Sequence, residues 1–237
     1  MPTESNVTTH SFTECPAQAV ALAERVAERL QQSLARRGRA VLAVSGGTTP
    51  KAFFEQLSRQ PLDWARVQVT LVDERWVPES DERSNARLVH AHLLQHAAAG
   101  AQFTPLYTGA ASPEAGTAEA EARIGALALP FDVVVLGMGD DGHTASFFPD
   151  GDHLAAALDL QTTARVLPMR APAAGEPRIT LTLATLLDTG ALYLLVRGEK
   201  KRDLLADARL GLGAARDYPV RAVLTQQRVP VAVYWCP

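Results

Sequence analysis

The chain is poor in features that would mark several classes of protein. Its 237 residues include two cysteines, Cys15 and Cys236, which stand near opposite ends and in no metal-binding spacing. We therefore expect two reduced thiols in a cytoplasmic protein. No apolar run approaches the ~20 residues of a membrane-spanning helix, and the first twenty residues lack the basic start of a signal peptide.

An excess of basic charge is also missing. The formal net charge is −3, and like charges form no block. This balance argues against nucleic acid or an anionic membrane surface as the main partner. Apolar residues make up 47% of the chain, which is enough for a sizeable core.

Short, wholly apolar segments alternate along the chain with segments of helical periodicity. Strands that are apolar throughout favour a parallel sheet covered by helices on both faces, and hence an α/β fold. We expect a single domain over residues 1–237. The predicted strands are 40–44, 67–72, 132–136, 192–196 and 229–235, and the predicted helices are 16–37, 84–96, 113–129 and 199–209. Residues 1–15 fit a lead-in or an edge strand, 181–187 fit a helix or mixed structure, and 218–228 show no clear pattern.

Three loops that follow predicted strands contain chemically useful groups, and ligands of open parallel sheets bind where such loops gather. The first is Ser45-Gly46-Gly47-Thr48. Its glycines let backbone N–H groups approach a ligand, and its hydroxyls add donors, which suits a phosphate monoester. No Gly-Lys-Ser/Thr follows, so the loop does not indicate ATP. An ordinary tight turn is the alternative interpretation.

The second loop, Asp73-Glu74-Arg75-Trp76-Val77-Pro78, places three charged residues directly after a strand. Such charges are costly to bury unless they are paired or contact a ligand. The alternative is an ion-pair cluster on the surface.

The third loop, Gly137-Met138-Gly139-Asp140-Asp141-Gly142-His143, fits the glycine spacing of a dinucleotide fingerprint. However, its two aspartates would repel a pyrophosphate, and Phe147-Phe148-Pro149 ends any helix that follows, so we exclude NAD. A neutral histidine can accept a proton from water at physiological pH. We therefore predict that His143 is a general base and that Asp141 orients it.

Two basic residues could reach the cleft that these loops form. Arg178 precedes an apolar stretch, and Lys200 stands at the start of a predicted helix. An ordinary surface lysine is the alternative interpretation of Lys200, and Lys201 could equally be the exposed neighbour. We predict no metal site, although His92 and His96 have the four-residue spacing of some zinc sites. No third ligand is evident, and the aspartates at 140, 141, 150 and 152 lack the spacing of a calcium loop.

Together these segments resemble the 6-phosphogluconolactonase family, which is related to the glucosamine-6-phosphate deaminases. The resemblance covers residues 41–205, and its most specific part is the His-Thr-Ala-Ser-x-Phe-Pro run at 143–149. The other matching runs are Ser45-Gly46-Gly47-Thr48, Asp73-Glu74-Arg75-Trp76-Val77-Pro78 with Ser84-Asn85, Gly137 to Gly142, Arg178-Ile179-Thr180-Leu181 and Gly198-Glu199-Lys200.

The resemblance implies a Rossmann-like three-layer sandwich with a mostly parallel sheet, no cofactor, and a place in the cytoplasmic oxidative pentose phosphate pathway. It implies that His143, beside Asp141, activates water to hydrolyse 6-phospho-D-glucono-1,5-lactone. The substrate-binding residues that it implies are Ser45, Gly46, Gly47, Thr48, Asp73, Arg75, Arg178 and Lys200. We expect a sugar phosphate as partner, neither nucleic acid nor membrane, and a monomer or weak homo-oligomer.

Two alternatives from other classes stay open. A deaminase or isomerase that acts on an amino-sugar phosphate has an Asn-Glu-Pro segment, whose Glu helps to open the sugar ring. Here Phe147-Phe148-Pro149 has no carboxylate before the proline, and a lactone needs no ring opening. The other alternative is a non-catalytic sugar-phosphate sensor, which would more often bring a basic DNA-binding segment.

Overall fold

The structure, a computed structural model, describes residues 6–237. Its strands are β1 Val7–Ser11, β2 Ala40–Val44, β3 Val67–Leu71, β4 Asp73–Arg75, β5 Gln102–Thr104, β6 Val133–Leu136, β7 Val166–Met169, β8 Arg178–Leu181, β9 Leu192–Arg197 and β10 Val231–Cys236. Its helices are α1 Cys15–Arg37, α2 Lys51–Leu57, α3 Asn85–His92, α4 Pro113–Gly125, α5 Leu154–Leu158, α6 Leu183–Leu186, α7 Glu199–Leu210 and α8 Val220–Thr225.

Seven strands form one sheet in the order β1-β10-β9-β6-β2-β3-β5, and all their pairings are parallel. Helices lie on both sides of this sheet. Because both faces are covered, β2 and β6 consist only of buried apolar residues. The predicted α/β fold with a mostly parallel sheet is confirmed. The predicted single domain includes residues 1–5, which lie outside the described part of the chain.

A second, antiparallel sheet consists of β4, β8 and β7. Its strands are only three or four residues long, too short to give a periodic pattern, and the sequence did not indicate them. In the register of β4 and β8, Arg75 stands opposite Arg178. This pairing brings two predicted site residues from distant parts of the chain to neighbouring strands.

Two predicted helices end earlier than their sequence patterns suggest. The predicted helix 84–96 ends at His92, and the predicted helix 113–129 ends at Gly125. The lead-in is partly an edge strand, β1, while residues 1–5 of that prediction lie outside the described residues. In the described part of the chain, no helix is both long and apolar enough to span a membrane.

The expectation of two unpaired thiols is wrong, because Cys15 and Cys236 form a disulfide in this structure. The reason lies in the topology. Strand β1 pairs in parallel with β10, so that their carboxyl ends lie side by side. Cys15 begins the helix after β1 and Cys236 ends β10, and their Cα atoms are 5.2 Å apart. Residues remote in sequence are thus neighbours at one edge of the sheet.

Candidate active site

The loops that follow β2 and β6 meet at the carboxyl edge of the parallel sheet. Strand β2 pairs with β6 on one side and with β3 on the other, so the order of strands changes direction beside β2. Open α/β sheets bind ligands at such a change of direction. A polar cleft of about 230 Å³ lies here, lined by Ser45, Gly46, Gly47, Thr48, Thr49, Pro50, Asp73, Arg75, Asn85, Gly137, Met138, Gly139, His143, Ala145, Arg178, Leu195 and Lys201.

The Ser45–Thr48 turn forms one wall of the cleft, as predicted. Ser45 N donates to Val135 O at 3.0 Å, which ties the start of the turn to β6. Gly47 has a φ of +92°, which favours glycine. A Cβ on Gly46 would come within 1.8 Å of Asn85 Oδ1, so this backbone packs directly against the asparagine side chain. The turn therefore exposes backbone groups where a bulkier residue would fill the space.

The glycine-rich loop holds the backbone of His143 in a fixed position. Gly139 N donates to His143 O at 2.9 Å, and Thr144 Oγ1 donates to Gly137 O at 2.8 Å. A Cβ on Gly139 would lie 2.2 Å from the His143 ring, so only glycine allows the ring to approach this closely. The glycines of this loop therefore make room for the imidazole.

Asp141 orients the His143 ring. Nδ1 of His143 lies 2.5 Å from Asp141 Oδ1. Because a carboxylate only accepts hydrogen bonds, Nδ1 carries the hydrogen and Nε2 is left as the acceptor. Partial burial works against the charge of Asp141, but the hydrogen bond and charge of His143 outweigh it and lower the pKa of the carboxyl. The pair thus has the arrangement of a general base and its orienting partner.

The segment 218–228, which had no clear sequence pattern, packs against this loop. It contains α8, and Val220 N donates to Gly142 O at 2.9 Å. Gly142 has a φ of +75°, and a Cβ there would lie 2.5 Å from the Tyr218 ring. No short motif signals this contact, because it joins residues about 75 positions apart in the sequence.

Arg75 and Arg178 place two guanidinium groups on the wall formed by the antiparallel sheet. They are register partners, both line the cleft, and the Nε of each is buried without a hydrogen-bond partner. Burial lowers the pKa of Arg178; nearby Asp73 raises it, and nearby Arg75 lowers it again. Like charges directly opposite each other destabilise a sheet. The pair is therefore suited to an anion that binds both groups.

Asp73 and Asn85 complete this wall. Asp73 is buried, and its Oδ2 accepts a hydrogen bond of 2.6 Å from Ser146 Oγ. Asn85 Nδ2 donates to Asp73 O at 3.0 Å. The resemblance includes the Ser84-Asn85 pair but does not imply that Asn85 belongs to the site. Only the packing of α3 against β4 places this amide in the cleft.

Lys201, and not Lys200, is the lysine of the cleft. Lys201 Nζ lies 2.8 Å from Met138 O and 3.5 Å from Asp140 Oδ1, whereas Lys200 is exposed and does not line the cleft. Successive residues of a helix point about 100° apart. Since α7 begins at Glu199, its orientation directs only the second lysine toward the loop after β6.

The other predicted features lie away from this chemistry. His92 pairs with Glu55 at 3.0 Å, and His96 lies beyond the end of α3 in a separate 3₁₀ turn. Asp150 and Asp152 do not line the cleft. Among residues 6–237, no group of three or more His, Cys, Asp or Glu side chains is arranged to hold a metal ion.

The fold and cleft define a class of protein: a parallel α/β protein whose polar switch-point cleft suits a small anionic ligand. Comparison with known sequences identifies the family within this class. A family model described as glucosamine-6-phosphate isomerases/6-phosphogluconolactonase matches residues 15–235, and the chain belongs to this family. The resemblance inferred from the sequence motifs is thereby confirmed.

Close relatives are known in both sequence and structure. The chain is 53% identical to the 6-phosphogluconolactonase of Mesorhizobium japonicum, over 96% of this chain and 94% of that protein. It is 49% identical to the enzyme of Pseudomonas aeruginosa, over 93% and 91% of the two chains. A crystal structure of a 6-phosphogluconolactonase from Shewanella baltica superposes with a TM-score of 0.92 at 40% identity, covering 98% of both chains. A monomeric glucosamine-6-phosphate deaminase shares the fold, with a TM-score of 0.77 at 18% identity.

Proposed function

We propose that this protein is a 6-phosphogluconolactonase, which hydrolyses 6-phospho-D-glucono-1,5-lactone to 6-phosphogluconate. One observation carries the proposal: the His143–Asp141 pair and the Arg75–Arg178 pair line or adjoin a single cleft. A general base for water and a cationic site for a phosphate are the two groups that this reaction needs. The close relatives named 6-phosphogluconolactonase support the same substrate.

The phosphate of the substrate binds between the two guanidinium groups and the Ser45–Thr48 turn. A dianion there would relieve the repulsion between Arg75 and Arg178. Lys201 adds a third cation at the side of the loop after β6. Asp73 also lines the cleft, with its Oδ2 4.0 Å from Arg178 Nη1. We assign it to the hydroxyls of the sugar, which can donate to its carboxylate.

The lactone ring then extends toward His143. Nε2 of the imidazole removes a proton from water as the water oxygen attacks C1. Asp141 stabilises the imidazolium that forms. The bond from C1 to the ring oxygen breaks, and the imidazolium returns the proton to that oxygen, which becomes the 5-hydroxyl. The carboxylic acid formed at C1 loses its own proton to solvent.

The proposal includes the cellular setting. We place the enzyme in the cytoplasm, in the oxidative pentose phosphate pathway, acting without a cofactor as a monomer or weak homo-oligomer. The net charge of −3 supports a small-molecule partner and not a nucleic acid.

A coupled assay with freshly generated lactone, corrected for spontaneous hydrolysis, tests the function and the base together. His143→Asn should lower kcat by ~10²–10⁴, because it removes the proton acceptor. His90→Asn is the control, since His90 is only partly buried and lies outside the cleft. Near-normal turnover by His143→Asn would remove the assignment of the base.

The same preparation distinguishes the alternatives. Release of ammonia from glucosamine 6-phosphate with a higher kcat/KM than lactone hydrolysis would establish the deaminase. Binding of the sugar phosphate without turnover of either substrate would establish the sensor.

A further inference from the structure

The ring of Phe148 contacts both functional halves of the cleft. Its centroid lies 4.3 Å from that of the His143 ring, with an angle of 30° between the two planes. The Cζ atom of Arg178 lies over the same ring, 5.4 Å from its centroid. Phe148 is buried and does not line the cleft. The ring is therefore the physical connection between the candidate base and the candidate phosphate-binding arginine.

The backbone around Phe148 fixes the position of this ring. A tight turn pairs Thr144 with Phe147, and within it Ala145 has a φ of +49°, a conformation that residues with a Cβ rarely adopt. Phe148 N donates to Ser146 O at 3.1 Å, and Phe148 O accepts from Gly151 N at 3.1 Å. The turn brings a ring that follows His143 by five residues back against the imidazole.

Neither functional side chain is fully restrained by its hydrogen bonds. Arg178 donates from Nη2 to Ala174 O at 2.8 Å, while its Nε has no partner. His143 is held at Nδ1 by Asp141, and a single hydrogen bond at one ring atom leaves the plane of the imidazole free to tilt. Contact with an aromatic face restrains a ring plane by stacking and a guanidinium by cation–π attraction.

We propose that Phe148 is a positioning residue that fixes the separation and the relative orientation of His143 and Arg178. It thereby matches the distance between the base and the anion site to the distance between C1 and the phosphate of the substrate. The identity of that substrate rests on the proposed function. The contacts of the ring with both side chains do not.

The test compares Phe148→Leu with Phe147→Leu. Both remove a ring from a buried position in the same turn, so both lose similar packing. Among the described residues, His143 and Arg178 make their aromatic and cation–π contacts with Phe148 and not with Phe147. Phe148→Met keeps the volume without the ring and serves if the leucine variant does not fold.

Two independent measurements are made on these variants. In the lactone assay, Phe148→Leu should lower kcat by roughly ten- to hundredfold, because a small misplacement of a base is expensive. In isothermal titration with inorganic phosphate, Phe148→Leu should raise the Kd by roughly three- to tenfold, because the cation–π contact is lost. Phe147→Leu should stay within about twofold of the wild type in both, the margin expected for a residue without contact to either group.

A double mutant separates positioning from general loosening of the fold. In an Arg178→Met background, Phe148→Leu should weaken phosphate binding by less than about twofold. The reason is that the Arg178→Met change has already removed the cation–π contact between the two side chains. Additive losses, or equal values for Phe148→Leu and Phe147→Leu, would overturn the proposal. If no variant or wild-type protein hydrolyses the lactone but the phosphate measurements come out as expected, the proposed function fails and the positioning of Arg178 by Phe148 stands.

Discussion

At the scale of single residues, Lys201 offers a direct test of the proposed substrate site. Its ammonium group lies beside Met138 O and faces the cleft. Lys201→Ala should raise the KM for the lactone roughly tenfold, because a hydrogen bond between charged groups is lost. The kcat should change little, since Lys201 is not the base. Steady-state kinetics with Lys200→Ala as the matched control checks this, and equal KM values for the two variants would contradict it.

Lys200 and Lys201 also show which site residues can be predicted from the sequence and which cannot. The sequence motifs identified His143, Asp73, Arg75 and Arg178, and the structure places all four at the cleft. His143, Arg75 and Arg178 each stand between residues of different chemistry. Lys200 and Lys201 are identical neighbours, and the rotation of a helix about its axis decides which one faces the loop. That rotation depends on tertiary packing, which a single sequence does not display.

At the scale of elements, long patterns were predictable and short ones were not. The strand 40–44 and the helix ending before Gly38 lie where the apolar spacing predicts them. The antiparallel sheet of β4, β8 and β7 was missed, because strands of three or four residues contain too few alternations to be recognised. This sheet pairs Arg75 with Arg178. The element that the sequence did not indicate is thus the one that builds the proposed anion site.

The junction between β4 and α3 depends on a buried carboxyl. Glu74 is fully buried and accepts hydrogen bonds from Ser84 Oγ at 3.1 Å and from the N–H groups of Asn85 and Ala86 at 2.7 Å. Burial raises its pKa from 4.5 to about 7, although these donors and Arg75 N oppose the shift. In the unfolded chain the carboxyl returns to its ordinary value. The stability of the protein is therefore linked to pH through this residue.

The sign of this linkage follows from the raised pKa. Between pH 4.5 and about 7 the folded protein holds a proton that the unfolded chain has released. The contribution of Glu74 to stability is thus greatest below pH 4.5 and declines as the pH rises to about 7. The whole decline amounts to roughly 3 kcal/mol. Urea unfolding at pH 5, 6, 7 and 8 should show the wild type losing stability relative to Glu74→Gln, whose amide does not titrate.

A control variant separates this effect from the titration of other carboxyls. Glu82→Gln makes the same chemical change at an exposed position, and it should follow the pH dependence of the wild type. Parallel stability curves for the wild type and Glu74→Gln would contradict the prediction. So would a wild type that gains relative stability as the pH rises.

At the scale of the whole molecule, the parallel pairing of β1 with β10 brings the two ends of the described chain together. The alternation of strands and helices predicted the class of fold but not the order of strands within the sheet. That order is set by long-range packing, and it decides which residues meet at the edge. Cys15 and Cys236 therefore appeared unrelated in the sequence, at a separation of 221 residues, and are bonded in the structure.

The disulfide should stabilise the fold by closing this long segment of chain in the unfolded state. A cross-link of such a span is worth about 2–5 kcal/mol, which corresponds to a fall in Tm of roughly 5–15 °C when it is removed. Cys15→Ser should melt lower by that amount, and dithiothreitol should lower the Tm of the wild type while leaving the variant unchanged. The sulfurs do not line the cleft, so activity at 25 °C should persist in both. A wild-type Tm that does not change with the reductant would instead support the two reduced thiols expected from the sequence.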